Sequence, residues 1–280
     1  MLLLSGYKSI MKKNIFILFI FLSLSICAGA QVKKMITKKK VYQLYTSTVE
    51  NPPSETKNEK GHIFSVSKST LTVYLPEKNK TEICPVLLLV PGGGYSLVDI
   101  IDYGESWVDY FTKQGFTCAI LKYRIVGDFQ QRVNESLEDA QKAIGILRTK
   151  SKKLGIDPNK IGVVGTSAGS HLCLNLINDK TIVKGKEPDF VCLLCAWPGK
   201  NDTGYFSFTN HCPPTYMAVA KDDDLTYDFV KGMSKKLQCN PVSKLIEFEK
   251  GGHNIFNIRT GLAKDWYLQF NQWCQDNIVE

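Results

Sequence analysis

The sequence predicts an α/β fold of one domain, in which a mostly parallel central sheet carries helices on both faces. Short runs rich in β-branched and apolar residues alternate along the chain with longer segments whose apolar residues have helical spacing. Neither a repeat period nor a linker rich in proline, glycine or serine interrupts this pattern. With 280 residues, of which 44% are hydrophobic, the chain can bury one large core.

The strands and helices can be assigned in order from this alternation. The predicted strands are the apolar runs at 71–75, 86–90, 117–123, 161–164, 191–196, 216–220 and 245–248. The clearest helix is expected at 135–153, because Gly155 and the Asp157-Pro158 pair follow its last apolar residue. A second helix should start near Leu225, and a third should cover the core at 261–277.

Residues 1–30 have the layout of a secretory signal peptide. Lys12 and Lys13 precede an apolar run at 15–26, and Ala28-Gly29-Ala30 supplies the small residues of a cleavage site. The apolar run is shorter than the roughly 20 residues that a membrane-spanning helix needs. We therefore expect cleavage after Ala30, a secreted or periplasmic location, and no integral membrane segment in the mature protein.

The mature chain is predicted to consist of a polar N-terminal segment at 31–60 and the domain proper at 61–280. Loss of residues 1–30 removes three lysines and no acid, which lowers the net charge from +8 to +5. The lysines near the new N-terminus are not interleaved with stacking aromatic residues, so we expect a solvated segment and no nucleic-acid partner. The oligomeric state stays open.

Nine cysteines become eight after cleavage, and an exported protein can oxidise them in pairs. Most of them lie in apolar segments, so we expect mainly buried thiols with one or two disulfides. Cys192 and Cys195 have the spacing of a redox motif, but they lie within a predicted buried strand. A redox or zinc role is therefore not expected for this pair.

The strongest chemical motif is the stretch 161–169, in which an apolar strand leads into Gly165-Thr166-Ser167-Ala168-Gly169 and then into an apolar helix. This Gly-x-Ser-x-Gly motif between a strand and a helix is the context of a nucleophile elbow. The tight turn exposes the serine hydroxyl above the sheet. The sequence therefore predicts Ser167 as the nucleophile of a hydrolase.

A glycine-rich loop, Pro91-Gly92-Gly93-Gly94-Tyr95, follows the predicted strand at 86–90. A simple turn does not need three glycines here, whereas a loop whose backbone N–H groups approach a substrate oxygen closely does. We expect the N–H groups of Gly93, Gly94 and Ala168 to form an oxyanion hole. The choice among the three loop glycines stays open.

A serine nucleophile needs a base and an acid, which follow in the chain order Ser, Asp or Glu, His when the nucleophile stands in such an elbow. That order excludes His62. His171 is expected to pack beside the elbow, and His211 precedes the strand that should carry the acid, which leaves His253 in a glycine-rich loop. The acid is expected among Asp222, Asp223 and Asp224, and spacing from the strand favours Asp223, with Asp222 next.

Several stretches together resemble the acetyl-xylan-esterase and related-esterase group of α/β hydrolases. They are 91–95, 121–124, 138–140, 155–169, 213–216 and 251–253, and they extend over most of the chain from about residue 70. The resemblance implies the α/β-hydrolase fold and hydrolysis of short-chain, mainly acetyl, esters on carbohydrate such as acetylated xylan oligosaccharides. The chain departs from relatives that have His-Gly before the acid, because Val219-Ala220-Lys221 stands there, and this leaves the aligned aspartate open.

The expected reaction is transfer of an acyl group from a small-molecule or oligosaccharide ester to water by a Ser-His-Asp triad, without a metal or an organic cofactor. The alternatives are a general carboxylesterase or lipase, a peptidase similar to the prolyl-oligopeptidase catalytic domain, and a non-catalytic binding protein that keeps the fold. Tyr95, Trp197 and Glu105 are candidates for the acyl pocket by position, and each has an equally good structural interpretation.

Overall fold

A computed structural model describes residues 38–77, 83–200, 206–257, 261–263 and 265–279. The predicted signal peptide, with its cleavage site after Ala30, lies outside the described residues. Among the described residues, no helix combines the length and the apolar composition needed to cross a bilayer.

The chain alternates between strands and helices as the sequence predicts. The strands are β1 (Lys38–Thr46), β2 (Thr56–Lys57), β3 (Ile63–Phe64), β4 (Lys68–Leu75), β5 (Cys84–Val90), β6 (Thr117–Lys122), β7 (Ile156–Thr166), β8 (Phe190–Leu194), β9 (Thr215–Ala220) and β10 (Lys244–Phe248). The α-helices are α1 (Ser106–Lys113), α2 (Phe129–Thr149), α3 (Ser151–Leu154), α4 (Ala168–Ile177), α5 (Tyr227–Lys236) and α6 (Trp266–Cys274). Short turns of other helix types are a π-helical turn at Ile101–Glu105, a 3₁₀ turn at Leu237–Cys239 and a π-helical turn at Gln275–Val279.

Eight of the strands form one sheet in the order β1-β4-β6-β5-β7-β8-β9-β10. The pairs β1–β4 and β4–β6 are antiparallel, and every other neighbouring pair is parallel. The carboxyl ends of β5, β7, β9 and β10 therefore lie along the same edge of the sheet, which is where ligands bind in open α/β sheets.

Alternation along the central strands supplies the two halves of the core. On β5, Leu88 and Val90 face a cluster that contains Ile144 of α2 and Leu172 of α4. Leu87, on the other face, belongs to a second cluster that contains Trp107 and Phe111 of α1 and Trp266 and Phe270 of α6. Strands buried on both faces are continuous apolar runs, which is why β5 to β9 are readable in the sequence.

The segment before residue 61, which the sequence predicts to be a polar extension, contributes β1 to the main sheet. β1 pairs with β4 from Lys38 to Thr46, and Leu44 is its buried residue. An edge strand with one side exposed needs few apolar residues, so its sequence looks polar. Two predicted helices also differ in extent: the one expected at 135–153 begins earlier, at Phe129, and the C-terminal one is shorter, from Trp266 to Cys274.

A buried arginine connects the end of β6 to α2. The Arg124 guanidinium, whose side chain is 1% exposed, lies 3.0 Å from the Asp139 carboxylate and also faces the carboxylates of Glu135 and Glu138. The Arg124 backbone N–H donates to Asp139 at 2.8 Å. Removal of Arg124 would leave the buried carboxylates of Glu135 and Asp139 without their counter-charge, so the arginine holds α2 against the end of β6.

Cys212 and Cys239 form a disulfide, whereas Cys118, Cys173, Cys192, Cys195 and Cys274 are buried free thiols. Burial raises the pKa of the thiols of Cys192 and Cys195. Both cysteines therefore remain protonated at neutral pH, unlike the reactive thiolates of redox motifs.

Candidate active site

The turn between β7 and α4 holds Ser167 in a strained backbone conformation, with φ of 51° and ψ of −118°. Two close approaches explain the flanking glycines. A Cβ on Gly165 would lie 2.6 Å from the Gly169 carbonyl group, and a Cβ on Gly169 would lie 2.0 Å from the Val90 carbonyl oxygen. The Ser167 N–H donates to the Leu194 carbonyl at 3.0 Å, which fixes the turn against β8. The serine hydroxyl is thereby presented at the edge of the sheet.

Side chains from three separate loops form a chain of contacts that starts at this hydroxyl. His253 Nε2 lies 2.8 Å from Ser167 Oγ, and His253 Nδ1 lies 2.9 Å from Asp223 Oδ2. The nucleophile predicted from the elbow, the histidine predicted from chain order and one of the three candidate aspartates are thus in hydrogen-bonding contact. A serine and a carboxylate on the two ring nitrogens of one histidine are the arrangement that acyl transfer requires.

Only Asp223 of the aspartate triplet contacts the histidine. Burial raises the pKa of Asp223, but hydrogen bonds from His253 and from the Thr226 hydroxyl outweigh that effect and hold its pKa below the ordinary value. The carboxylate therefore stays charged at neutral pH. Thr226 was not singled out in the sequence, since a threonine in the first turn after a strand carries no specific signal.

The neighbouring Asp222 supports the histidine loop from outside. Its carboxylate accepts from the N–H of Gly251 at 2.9 Å and from the N–H of Gly252 at 2.8 Å. These backbone hydrogen bonds lower the pKa of Asp222. Asp224 is exposed. The three aspartates thus differ in environment: one contacts His253, one holds its loop, and one faces solvent.

The glycine loop after β5 lies beside Ser167. The Gly92 N–H donates to Thr166 Oγ1 at 3.0 Å, so it is engaged within the protein. Within the part of the chain that the structure describes, the N–H groups of Gly93, Gly94 and Ala168 take part in no such bond. Gly93 has φ of 137°, and a Cβ there would lie 2.1 Å from the Leu97 carbonyl oxygen, which restricts the position to glycine.

Two side chains anchor this loop through its carbonyl groups. The Tyr123 hydroxyl donates to the Pro91 carbonyl at 2.7 Å, and Arg132 donates to the Tyr95 carbonyl at 3.1 Å. Tyr123 follows β6 and immediately precedes the buried Arg124. The glycine loop is therefore held from the sheet on one side and from α2 on the other.

A cavity of about 430 Å³ opens above Ser167. Besides Ser167 and His253 it is lined by the backbone of the glycine loop and by side chains of both polar and apolar character, namely Leu97, Asp99, Tyr103, Thr166, Cys195, Trp197, Leu225 and Asn254. Of the three pocket candidates from the sequence, only Trp197 lines this cavity. Tyr95 is buried with its hydroxyl 2.8 Å from His171 Nδ1, and Glu105 is exposed outside the cavity lining.

The other histidines occupy separate places. His171 is buried against Tyr95, and His211 Nε2 lies 3.0 Å from the Pro188 carbonyl oxygen. His62, which chain order excluded as the base, pairs instead with Asp99 of the cavity lining, at 3.4 Å between Nε2 and Oδ2. The described residues contain no group of three or more metal-ligating side chains.

Known proteins are similar to this chain both in sequence and in structure. A family model described as BD-FAE matches residues 71–187. Over 106 residues the chain is 33% identical to an acetylxylan esterase of Xylanibacter ruminicola, a stretch that makes up 38% of this chain and 21% of that protein. Over 167 residues it is 28% identical to an endo-1,4-beta-xylanase B of Butyrivibrio fibrisolvens, covering 56% of this chain and 25% of that protein. The chain spans about a fifth to a quarter of the length of these curated relatives.

Among solved structures, an acetyl ester-xyloside bifunctional hydrolase from Caldicellulosiruptor lactoaceticus matches with a TM-score of 0.63 and 23% identity, covering 87% of this chain and 98% of that one. An α/β hydrolase from a Medee basin deep-sea metagenome library, MGS-M1, matches with a TM-score of 0.63 and 18% identity, covering 85% and 98%. The predicted fold class is confirmed: the chain has the α/β-hydrolase fold. Several of the curated proteins that are similar to it in sequence are esterases.

Proposed function

We propose that the protein is a serine esterase in which Ser167 attacks the ester carbonyl and His253 takes the serine proton. The observation that carries the proposal is the continuous contact from Ser167 Oγ through the His253 ring to Asp223. His253 then returns the proton to the departing alcohol, and water hydrolyses the acyl-enzyme with the same base. Asp223 keeps the ring in the tautomer with hydrogen on Nδ1 and stabilises the imidazolium.

The oxyanion of the tetrahedral intermediate is bound by backbone N–H groups. Gly92 is engaged with Thr166, so the donors on the loop are Gly93 and Gly94, and Ala168 supplies a third from the first turn of α4. N–H groups in the first turn of a helix have no partner within the helix and lie at its positive end. Each such donor contributes about 3 kcal/mol to lowering the barrier.

The substrate we propose carries a short acyl group, acetyl first, on a carbohydrate such as an acetylated xylan oligosaccharide. Similarity to an acetylxylan esterase and to a xylanase supports this substrate class. A general carboxylesterase is the second candidate, since Leu97, Trp197 and Leu225 give part of the cavity an apolar lining. The relative rates on acetate and on longer acyl chains separate the two.

Export of the protein is part of the proposal. The signal-peptide layout of residues 1–30 supports it. The disulfide between Cys212 and Cys239 supports it independently, because disulfides persist in secreted and periplasmic proteins and are rare in reducing compartments.

The test compares mature wild-type protein with Ser167→Ala on 4-nitrophenyl acetate, butyrate and octanoate and on acetylated xylo-oligosaccharide. Wild type is expected to favour acetate and to release acetate from the oligosaccharide. Ser167→Ala should lose at least about 10⁴-fold in kcat on every ester, since a triad without its nucleophile retains only binding and oxyanion stabilisation. Ser54→Ala is the matched control: Ser54 is exposed and distant in sequence from Ser167, so this variant should keep wild-type rates.

Two outcomes would contradict the proposal. Ester hydrolysis that is equal in wild type and Ser167→Ala would show that another group does the chemistry. Absence of hydrolysis from folded wild type on every ester would favour the peptidase or the non-catalytic binding protein. A preference for octanoate would keep the mechanism and replace the carbohydrate substrate by general or lipid esters.

A further inference from the structure

One wall of the cavity is formed by a π-helical turn. The turn Ile101–Glu105 leads directly into α1, and the N–H of Glu105 donates to the Ile100 carbonyl at 2.8 Å, five residues back. Tyr103, in the middle of the turn, departs from helical geometry with φ of −114° and ψ of 24°. Such turns are rare and occur frequently at functional sites.

Three polar side chains of this wall line the cavity together. The Tyr103 hydroxyl donates to Asn254 Oδ1 at 3.3 Å, and Asn254 directly follows His253. Asp99 stands at the start of the turn, where one of its oxygens accepts from the Asp102 N–H at 3.1 Å and the other lies 3.4 Å from His62 Nε2. We call Asp99, Tyr103 and Asn254 the polar wall.

The hydrogen-bonding capacity of the polar wall is only partly used inside the protein. The contact from Tyr103 to Asn254 is long, and it leaves the phenol oxygen able to accept and the Asn254 amide NH₂ able to donate. Burial, followed by the nearby Cys195 and Asp99, raises the pKa of Tyr103, so the phenol keeps its proton as a donor. The Asp99 carboxylate is engaged with His62 and with the Asp102 N–H, and because each carboxylate oxygen has two lone pairs it can accept further bonds. Donors and acceptors at one wall match groups that can do both, which is the property of sugar hydroxyls.

The polar wall lies where the alcohol part of the substrate is expected to bind. His253 must deliver a proton to the alcohol oxygen as the ester bond breaks, so the alcohol part of the substrate lies against His253. Asn254 is the next residue, and Tyr103 contacts Asn254. A hydrocarbon alcohol in this place would remove water from Tyr103 and Asn254 without replacing its hydrogen bonds, and that burial costs free energy.

We propose that Asp99, Tyr103 and Asn254 bind hydroxyl groups of a sugar that leaves as the alcohol, and that they determine the selectivity of the enzyme for carbohydrate esters. This inference rests on the proposed esterase function and goes beyond it by assigning the alcohol subsite to particular residues. The reaction itself, carried by Ser167, His253 and Asp223, does not depend on these hydroxyl contacts.

The experiment measures kcat/KM for acetylated xylo-oligosaccharide and for 4-nitrophenyl acetate, whose leaving group has no sugar hydroxyls. Tyr103→Phe removes one hydroxyl and keeps the ring, and the ratio of the two kcat/KM values should fall by about tenfold, as expected for loss of a substrate hydrogen bond in a partly buried site. Asp99→Asn keeps an acceptor for the Asp102 N–H but loses the charge, and it should lower the ratio at least as much. Tyr110→Phe is the matched control. Tyr110 lies in α1, outside the cavity lining, so this substitution should leave both kcat/KM values unchanged.

The outcomes separate this inference from the function on which it rests. Wild type that hydrolyses both esters, with an unchanged ratio in Tyr103→Phe and Asp99→Asn, would overturn the polar wall and leave the esterase intact. An equal loss on both esters would also overturn it, because that result indicates a disturbed His253 loop. Wild type that hydrolyses neither ester would contradict the esterase function itself.

Discussion

At the residue scale, the three consecutive aspartates after β9 have three different environments, because each side chain makes different contacts. Asp223 is 2% exposed and contacts His253, Asp222 holds the backbone at Gly251 and Gly252, and Asp224 faces solvent. Because the three side chains are chemically identical, substituting them one at a time compares a buried aspartate that contacts His253 with an exposed one that does not.

Asp223→Asn is expected to lower kcat on 4-nitrophenyl acetate by about 10⁴-fold, because the amide fails to hold the histidine tautomer or to stabilise its positive charge. Asp224→Asn, the adjacent and exposed position, is the matched control and should retain wild-type kcat. Steady-state kinetics of the two purified variants, with circular dichroism to check folding, tests this. Similar rates in both variants would exclude Asp223 as the acid.

The sequence predicted part of this site and not the rest. The glycine motif pointed to Ser167, the chain order of this fold pointed to His253, and spacing from the strand favoured Asp223. The selection of Asp223 within its triplet depends on which carboxylate faces the ring. Tyr103 and Asn254 carried no signal at all, since they meet across 151 positions of sequence.

At the element scale, Asp179 fastens the segment that leads into β9 to the end of α4. Its carboxylate accepts from the hydroxyl groups of Ser207 and Thr209 and from the N–H groups of Thr209 and Asn210. Burial raises the pKa of Asp179, but these four hydrogen bonds prevail and lower it well below the ordinary value.

A lowered pKa in the folded state means that the ionised Asp179 stabilises the protein above the ordinary pKa of about 4, and that this stabilisation is lost as the pH falls below it. Asp179→Asn should therefore lower Tm by a few degrees at pH 7, and the difference from wild type should shrink below about pH 4. Thermal unfolding followed from pH 7 to pH 3 measures this. A difference that stays constant over that range would contradict the role of the charge.

The strands and helices differ in how well the sequence predicts them. The buried strands β5 to β9 are continuous apolar runs, and the sequence located each of them. β1 was not predicted because only Leu44 of its nine residues is buried. The first turn of α2 was not predicted because it is rich in glutamine. That turn is fixed by Asp128, whose side chain accepts from the Gln131 N–H at 2.9 Å.

At the scale of the whole molecule, the alternating pattern predicted the fold class, whereas the pairing of cysteines was beyond the sequence. Cys212 and Cys239 lie near each other because β9, α5 and the 3₁₀ turn fold back between them. Spacing alone left one or two bridges among eight cysteines without a choice of partners.

Removal of the disulfide should destabilise the whole domain. Closing a loop of 27 residues is expected to contribute about 3.5 kcal/mol to the free energy of unfolding by restricting the unfolded chain. The double variant Cys212→Ser/Cys239→Ser should thus unfold at a lower urea concentration than wild type. Reductant should lower the midpoint of wild type and leave that of the double variant unchanged; an equal effect of reductant on both would contradict a stabilising bridge.

The segment that this bridge closes contains Asp223, while Ser167 and His253 lie outside it. Of the three proposed catalytic residues, the acid alone is carried on a covalently closed loop. Without the bridge, Asp223 is held beside the histidine by non-covalent contacts alone, among them its hydrogen bonds with Thr226 and His253. Under the proposed export, the bridge closes only after the chain has crossed the membrane, so the loop that carries Asp223 gains its covalent restraint on the side where the proposed ester substrate lies.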